Sequence, residues 1–361
     1  VSGSAPADLL VEVVAGRDLD EDAAFGLMGA FMSGEVDPAL IGALLGALRT
    51  KGESAAEVAG FVRGMLEAAT RLPLDAAILA RAVDTCGTGG DGAGTINVST
   101  IAALVVAADG VPVVKHGNRA ASSLAGSADL LEAWGIAIEL GPDAAAEVLA
   151  EAGATFLFAR RYHPAMRHVA PVRTALGMRT VFNLLGPLSN PAGVSRQVVG
   201  VPDAHVGELV AGALAQLGHV HALVVHGEDG LDELTTTTSS RVWQVRAGHV
   251  SEWRVGPDEL GLATSTLDEL RGGDVARNRE LADAIVDGEP GARSDLVALN
   301  AGAALLVADV VPDLASGVAR ARELLAAGAA RDVRDRWVVA SQTAQARETV
   351  AVAAAAENAG G

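Results

Sequence analysis

Several things are scarce in this chain, and each scarcity narrows what it can be. Its 361 residues contain one cysteine, Cys86. That excludes an intramolecular disulfide framework and points to a reducing compartment, the cytoplasm. Cys86 falls at the end of an expected strand and reads as a small buried residue. Aromatic residues make up only 3%, so the core must be built from Ala, Val and Leu. Lysine occurs twice, as Lys51 and Lys115, and arginine supplies the rest of the 27 basic residues. Positive charge is short overall, with 45 acidic residues and a net charge of −18. This balance argues against a general affinity for nucleic acid phosphate. No apolar run is long enough to cross a bilayer, and no charged-then-apolar start marks a secretory signal. Neither a nucleic acid nor a membrane partner is expected.

What is abundant is glycine, and it is concentrated. Residues Asp84 to Thr100 read DTCGTGGDGAGTINVST, with five glycines among the eight residues Gly87 to Gly94. Such a backbone bends sharply and lets a ligand approach closely, because no Cβ obstructs either. An apolar run from Ile101 to Ala108 follows and predicts a buried helix. A glycine loop that feeds a helix N-terminus suits phosphate, through free N–H groups and the helix dipole. It is not a P-loop, since no Lys-Ser or Lys-Thr closes it. Nor is it the usual dinucleotide fingerprint, since it is longer and carries Asp91 and Asn97. A short apolar strand, Val111 to Val114, then delivers Lys115-His116-Gly117-Asn118-Arg119-Ala120-Ala121-Ser122-Ser123. Strand, loop, helix and strand form a βαβ unit whose loops share one carboxyl edge of a parallel sheet, where ligands bind.

The chain is long enough for two domains. About four short helices are expected before Pro73. Asp37-Pro38 and Gly52 bracket one of them, and Ser54 with Glu57 makes a capping box for the next. From Arg81 onward strands alternate with helices. Strands are expected at 82–86, 111–114, 136–140, 155–158, 197–201 and 222–225. A hairpin is expected from 241–245 and 250–255, turning at Ala247-Gly248. The pattern predicts an α/β fold, in which a small all-helical domain accompanies a large α/β domain with a mostly parallel central sheet flanked by helices. The last hundred residues read as helical and Ala-rich, with a low-complexity tail that is expected to fray.

Two further stretches carry chemistry. Residues 155–191 hold five arginines between 160 and 179, together with His163 and His168, between apolar flanks. Asn183 to Pro187 reads there as a turn that walls a pocket. Residues 226–240 read HGEDGLDELTTTTSS and follow a strand. Asp232 and Glu233 are adjacent carboxylates in a hydroxyl-rich loop. Mg²⁺ takes one or two such carboxylates plus substrate phosphate oxygens. His219 and His221 have no third ligand nearby and read as strand residues. Together these segments describe a magnesium-bound polyphosphate beside a basic, partly apolar pocket. No nucleophile and base pair is evident, so positioning and electrostatics would carry the chemistry.

At this point a family resemblance becomes specific. GTGGDGAGTINVST, KHGNRAASSLAGSADLLEAWG, FLFARRYHPAMRHVAPVRTALGMRTVFNLLGPLSNP and VHGEDGLDELTTTT resemble, in order, the anthranilate phosphoribosyltransferases, over about residues 8 to 340. The resemblance implies the nucleoside phosphorylase/phosphoribosyltransferase type of fold. A helical domain over 1–80 would be joined by a segment near 164–190. A large α/β domain would cover 81–163 and 191–345, with 346–361 as the tail. It also implies a homodimer through the helical domain. The implied reaction joins anthranilate to 5-phosphoribosyl 1-diphosphate (PRPP) with Mg²⁺, giving N-(5-phosphoribosyl)anthranilate and pyrophosphate, a step of tryptophan biosynthesis.

Carried over by motif, the PRPP site comprises Gly87, Gly90, Asp91, Thr95, Asn97, Val98, Ser99 and Thr100. It continues through Lys115, His116, Gly117, Asn118, Arg119, Ala120, Ala121, Ser122, Ser123 and Ser127. Gly87, Asn118 and Arg173 match the anthranilate contacts, and Tyr162, His163 and Arg167 an outer approach to them. Ser99, Asp232 and Glu233 match the metal positions. Ala125 stands where the family often has serine, and Trp134 where it often has leucine. A pyrimidine nucleoside phosphorylase would share the fold and a glycine loop but not K-H-G-N-R. A nucleic-acid-binding homologue would lack the Arg173 motif and carry a basic surface.

Overall fold

The computed structural model describes residues 5–120 and 124–359, the last five by backbone only. It opens with four helices, Pro6–Val14, Glu21–Ser33, Pro38–Lys51 and Ala55–Glu67. Their starts follow from local chemistry. Asp20 accepts the Ala23 N–H at 2.8 Å, and Asp37 accepts that of Ala39 at 2.7 Å, with Pro38 in the first turn. Ser54 and Glu57 close a reciprocal capping box. The buried faces of these helices, including Phe31, Leu44, Leu48, Phe61 and Val62, form one core. Val169, Val172, Phe182 and Leu185 from the middle of the chain join it. So do Val199, Val210, Leu214 and Trp243, which attaches the bundle to one face of a sheet.

That sheet has seven strands: β1 Val83–Gly87, β2 Val113–Gly117, β3 Ala154–Phe158, β4 Arg196–Gly200, β5 His221–Gly227, β6 Ser240–Arg246 and β7 His249–Val255. Their order is β3-β2-β1-β4-β5-β6-β7. The first five are parallel, and β6 and β7 add an antiparallel hairpin. β1 and β4 lie side by side although two strands separate them in sequence. The chain leaves β1 toward one edge and β4 toward the other, so a crevice opens at their carboxyl ends. The register Gly87↔Gly200 puts a bare backbone at each lip of that crevice. On the opposite face, helix Val98–Ala108, helix Ala292–Val307 and the long final helix share a second apolar core with the parallel strands.

Two expectations need correction. Residues 136–140 form no strand. Ile136, Ile138 and Leu140 are buried in alternation, which is the pattern the sequence shows. Their backbone groups pair with no strand, however: the Ile136 N–H donates to the Leu131 carbonyl at 2.9 Å, Ser341 Oγ accepts the Ala137 N–H at 3.0 Å, and the Tyr162 hydroxyl donates to the Leu140 carbonyl. Asn183 to Pro187 is not a turn but part of the helix Phe182–Leu188, with Pro187 in its last turn. The tail past Thr349 is helical as far as Ala359. Helix Ala329–Ala359 runs through it, rich in the best helix former. Glu348 anchors that helix by pairing with Arg161 and accepting the Gly141 N–H at 3.0 Å.

Three buried histidines give the fold a pH dependence. Burial lowers His116 to about 3, and His163 and His219 to about 4. A histidine whose folded value lies below its unfolded 6.5 stabilises the fold fully above pH 6.5. That contribution is lost as pH falls toward the folded value. Between pH 6.5 and about 5 each costs up to about 2 kcal/mol. Urea midpoints should therefore fall on acidification over that range. By NMR, three of the eight imidazole Cε1–H resonances should stay flat down to about pH 5. Eight ordinary titrations near 6.5 would contradict this burial.

Candidate active site

The glycine loop leaves β1 at Gly87 and turns on left-handed residues. Gly89, Gly90, Gly92 and Gly94 have φ between +63° and +87°, a region that other residues enter only with strain. The loop is pinned at both sides. Thr95 forms an isolated bridge with Arg271, and the Gly272 N–H donates to the Gly94 carbonyl at 2.9 Å. Asn97 precedes helix Val98–Ala108 without capping it. Its amide instead donates to the Ala125 carbonyl at 3.1 Å and accepts from Asn278 at 3.0 Å. Two of the first N–H groups are already occupied, Val98 by the Ile96 carbonyl and Thr100 by that of Asn97. The Ser99 N–H faces the Glu233 carboxylate. Val98 and Thr100 are buried, while Ser99 is half-buried.

Lys115 was expected just after a strand, but it lies in the middle of β2, and it is not an exposed ammonium. It is 1% exposed. It donates to the Thr85 carbonyl and, at 3.1 Å, to Ser99 Oγ. Its charge therefore lies beneath the start of the Val98 helix and reaches the loop through one hydroxyl. Burial lowers its pKa, and the nearby Asp84 carboxylate opposes that. Next to it, the His116 Nδ1–H donates to the Gly186 carbonyl at 3.1 Å, which leaves Nε2 a buried acceptor with no partner among the described residues. Gly117, Asn118, Arg119 and Ala120 continue the loop. The exposed Asn118 uses its Oδ1 on the Arg119 N–H. Arg119 itself pairs with Glu132 and lies over the Phe158 ring. Asp129 gathers the Ala120 and Gly126 N–H groups at 3.0 and 2.8 Å, so that Ser127 starts the next helix against Gly117. Ala121, Ser122 and Ser123 lie outside the described residues.

The acidic loop follows β5. Asp229 accepts the hydroxyls of Thr235 and Thr237. Asn300 grips the Leu234 N–H and carbonyl at 3.0 and 2.9 Å. Thus held, Asp232 lies across the ends of β1 and β4. A Cβ at Gly87 would overlap its carboxylate, and one at Gly200 its carbonyl. Its Oδ2 accepts the Gly89 N–H at 2.7 Å. Burial, followed by the charge of Asp91, raises its pKa to about 6. Burial, followed by the charge of Asp232, raises Glu233 well above the carboxylate range. Among the described residues no three acidic, histidine or cysteine side chains form a ready-made cation cage. The crowding of Asp232 and Glu233 beside Ser99 nevertheless suits a hard cation, which would relieve the repulsion and take its remaining ligands from a substrate.

Arg173 is carried by the helix Ala170–Leu176. Its guanidinium lies 5.2 Å from the centroid of the Phe182 ring. Burial alone lowers its pKa, and no carboxylate pairs with it among the described residues. The helix Phe182–Leu188 ties this arginine to the sheet edge. The Gly186 carbonyl holds His116, and the Pro187 carbonyl accepts Gln197 Nε2 at 2.6 Å. Tyr162 and His163 do not form an open approach in this structure. Tyr162 is fully buried, and the His163 Nε2–H donates to the Ser189 carbonyl at 3.0 Å. Arg167 is exposed. Sequence reasoning overlooked Asp229, Asn300, Asn278 and Asp129, which hold the loops in place. Asn300 had a visible signal, a lone amide inside the apolar run LVALNAGAALLV.

A helical bundle beside a doubly wound sheet, with a glycine loop and an acidic loop facing one crevice, defines a two-domain glycosyl transferase. Residues 79–331 match the a/b domain of the glycosyl transferase family, and residues 7–69 match its helical bundle domain. The anthranilate phosphoribosyltransferase of Chloroflexus aggregans is 49% identical over 337 residues, covering 93% of this chain and 98% of its own length. That of Thermomicrobium roseum is 49% identical over 336 residues, covering 92% and 96%. The crystal structure of the Thermus thermophilus enzyme superposes with a TM-score of 0.88 at 47% identity, covering 93% of this chain and 99% of that one. The chain belongs to the anthranilate phosphoribosyltransferase family. The Saccharomyces cerevisiae enzyme in complex with PRPP and Mg shares the fold, with a TM-score of 0.85 at 22% identity.

Proposed function

We infer that this chain transfers the 5-phosphoribosyl group of PRPP to the amine of anthranilate, as its relatives' name states. The products are N-(5-phosphoribosyl)anthranilate and pyrophosphate, and the step belongs to tryptophan biosynthesis. The observation that carries this reading is the seat of Asp232 on the glycine loop, which brings a polyphosphate cradle and two under-compensated carboxylates to one edge. In the reaction the amine nitrogen forms a bond to ribose C1. The C1–O bond to pyrophosphate breaks, with its electron pair leaving on oxygen, and the amine proton is released. Positive charge builds on the ribose as the leaving group departs, so stabilising and orienting the two partners accounts for the rate.

The glycine loop and the Asn97–Thr100 turn are proposed to hold the PRPP phosphates, with Lys115 reinforcing them from beneath and the Asn118–Ser127 loop closing over them. Asp232 and Glu233, with Ser99 Oγ, would hold Mg²⁺, which neutralises the leaving pyrophosphate when bound. Gly87 gives the aromatic amine room at the lip of β1, and Asn118 and Arg173 orient it. His163 and Tyr162 fix the wall behind His116, and Arg167 lies outside it. Chemistry on free metabolites and a single buried cysteine fit a cytoplasmic enzyme. Among the described residues no helix is long and apolar enough to cross a membrane. Residues 1–80 with 164–190 are proposed as one domain, which moves against the rest and carries the dimer contact. The apolar Val11 and Val14 are 63% and 70% exposed on its first helix.

Three outcomes test this reading. Replacing Asp232 and Glu233 together by Ala should abolish most turnover and flatten its Mg²⁺ dependence, followed as loss of anthranilate fluorescence. Wild-type activity and an unchanged magnesium response would remove both residues from the metal site. Arg173→Ala should lose about 2–3 kcal/mol, roughly 30- to 150-fold in kcat/KM for anthranilate, with a far smaller change for PRPP. Arg173→Lys should recover only part, because a point charge does not reproduce the bidentate fork. Equal losses for both substrates would reduce Arg173 to a helix support. Sedimentation equilibrium should give twice the chain mass of 36.4 kDa, and a monomer at all concentrations would refute the dimer.

A further inference from the structure

A cavity of about 280 Å³ lies beside the glycine loop, with Gly90 of the proposed PRPP site in its wall. It is walled by the end of helix Pro38–Lys51, by Thr88 and Gly90, by segment 179–184 and by the start of helix Ala204–Gln216. None of Lys115, Arg173, Asp232 and Glu233 lines it. Seven buried side-chain polar atoms lack a hydrogen-bond partner among the described residues, and three of them belong to this one wall: Glu53 Oε1, Thr88 Oγ1 and Thr180 Oγ1. Thr180 is only 4% exposed, so its hydroxyl has no recourse to bulk solvent. Such atoms are costly unless something enters to satisfy them.

The charges are equally incomplete. Arg49 and Arg179 both reach the cavity, and neither has a carboxylate partner among the described residues. Arg179 donates instead to the Gly89 carbonyl at 3.0 Å. Glu53 lines the same cavity; burial raises its pKa, and a backbone hydrogen bond and then the charge of Arg49 oppose that. The remaining wall combines Asn183 and Asp203, whose side chains accept the Thr180 and His205 N–H groups, with Pro202 and the apolar Leu184, Val206 and Leu209. Water would satisfy the hydroxyls but supply neither an anion for two guanidinium groups nor a body for the apolar side chains.

We propose that this cavity binds a free α-amino acid with an apolar side chain. Its carboxylate would sit between Arg49 and Arg179, its ammonium on Glu53 and the threonine hydroxyls, and its side chain on Leu184, Val206 and Leu209. The site is wired to the crevice. Arg179 holds Gly89, Gly90 leaves no room for a Cβ beside that guanidinium, and the Gly89 N–H holds Asp232. A carboxylate that draws Arg179 away alters the loop that seats Asp232, so the occupant modulates PRPP use. This consequence rests on the proposed phosphoribosyl transfer, whereas the binding itself does not.

Calorimetry on the full chain without substrates reads binding independently of turnover. The probes are L-phenylalanine and L-leucine, with 3-phenylpropanoate and phenethylamine lacking one charge each. At least one amino acid should bind saturably, and the two truncated probes should bind about tenfold or more weaker. Arg49→Gln and Thr180→Val should each weaken the amino acid about tenfold, and Arg49→Gln should leave turnover without amino acid unchanged. Arg173→Ala should leave the affinity intact. The proposal falls if neither amino acid binds up to about 10 mM, if the truncated probes bind equally, or if Arg49→Gln and Thr180→Val both bind as wild type. It falls also if Arg173→Ala abolishes binding, which would place the probe in the anthranilate position.

Discussion

The contact between the Gly89 N–H and the Asp232 carboxylate, at 2.7 Å, is the joint on which the site depends. It connects the loop after β1 to the loop after β5, residues 143 apart in sequence. It is possible only because β1 and β4 both end in glycine at the same register. Any side chain there would lift Asp232 off the sheet edge and separate the acidic loop from the glycine loop. The joint also explains the electrostatics. A carboxylate seated over a closed sheet edge loses water, and with Asp91 and Glu233 nearby its proton becomes hard to remove. A site built this way favours whatever brings positive charge to it.

Beneath the joint lies a buried polar layer that keeps the lips of the crevice rigid. Asp84 is fully buried in β1. Its carboxylate accepts Asn190 Nδ2 at 2.9 Å, the His116 N–H at 3.3 Å and Gln197 Nε2 at 3.4 Å. Burial raises its pKa to about 6, and the charge of Lys115 holds it down from a still higher value. One acid thereby fastens β2, β4 and the segment after helix Phe182–Leu188 to the central strand. Such a network specifies a single arrangement, because every alternative leaves a buried charge unpaired. The imidazole of His116 is placed by this layer, and its Nε2 has no partner among the described residues.

Local signals were legible wherever one residue's chemistry fixes one element. Asp37-Pro38, Ser54 with Glu57, and the glycines after β1 carry their structure in sequence, because caps and left-handed turns depend on neighbours a few residues away. The segment 136–140 was misread for the converse reason. Alternating burial reports an extended chain, but whether that chain joins a sheet depends on which backbone lies beside it. Here the neighbour is the last helix, 204 residues away, through Ser341. The helical state of 183–187 and the anchored tail were likewise decided by packing, on Phe182 and on Glu348.

The sequence by itself determined the class of chemistry. Its phosphate-loop glycines, its paired carboxylates, its near absence of lysine and its family motifs are properties of residue type and order, and they survive without coordinates. Only the tertiary structure decided where the charges reside. It buried Lys115 under Ser99, set Asp232 on two glycines and closed Tyr162 and His163 into the wall. It also left Arg173, Arg49 and Arg179 without carboxylate partners among the described residues. Burial and charge pairing are set by contacts between residues from 16 to 143 positions apart, beyond the reach of any local pattern.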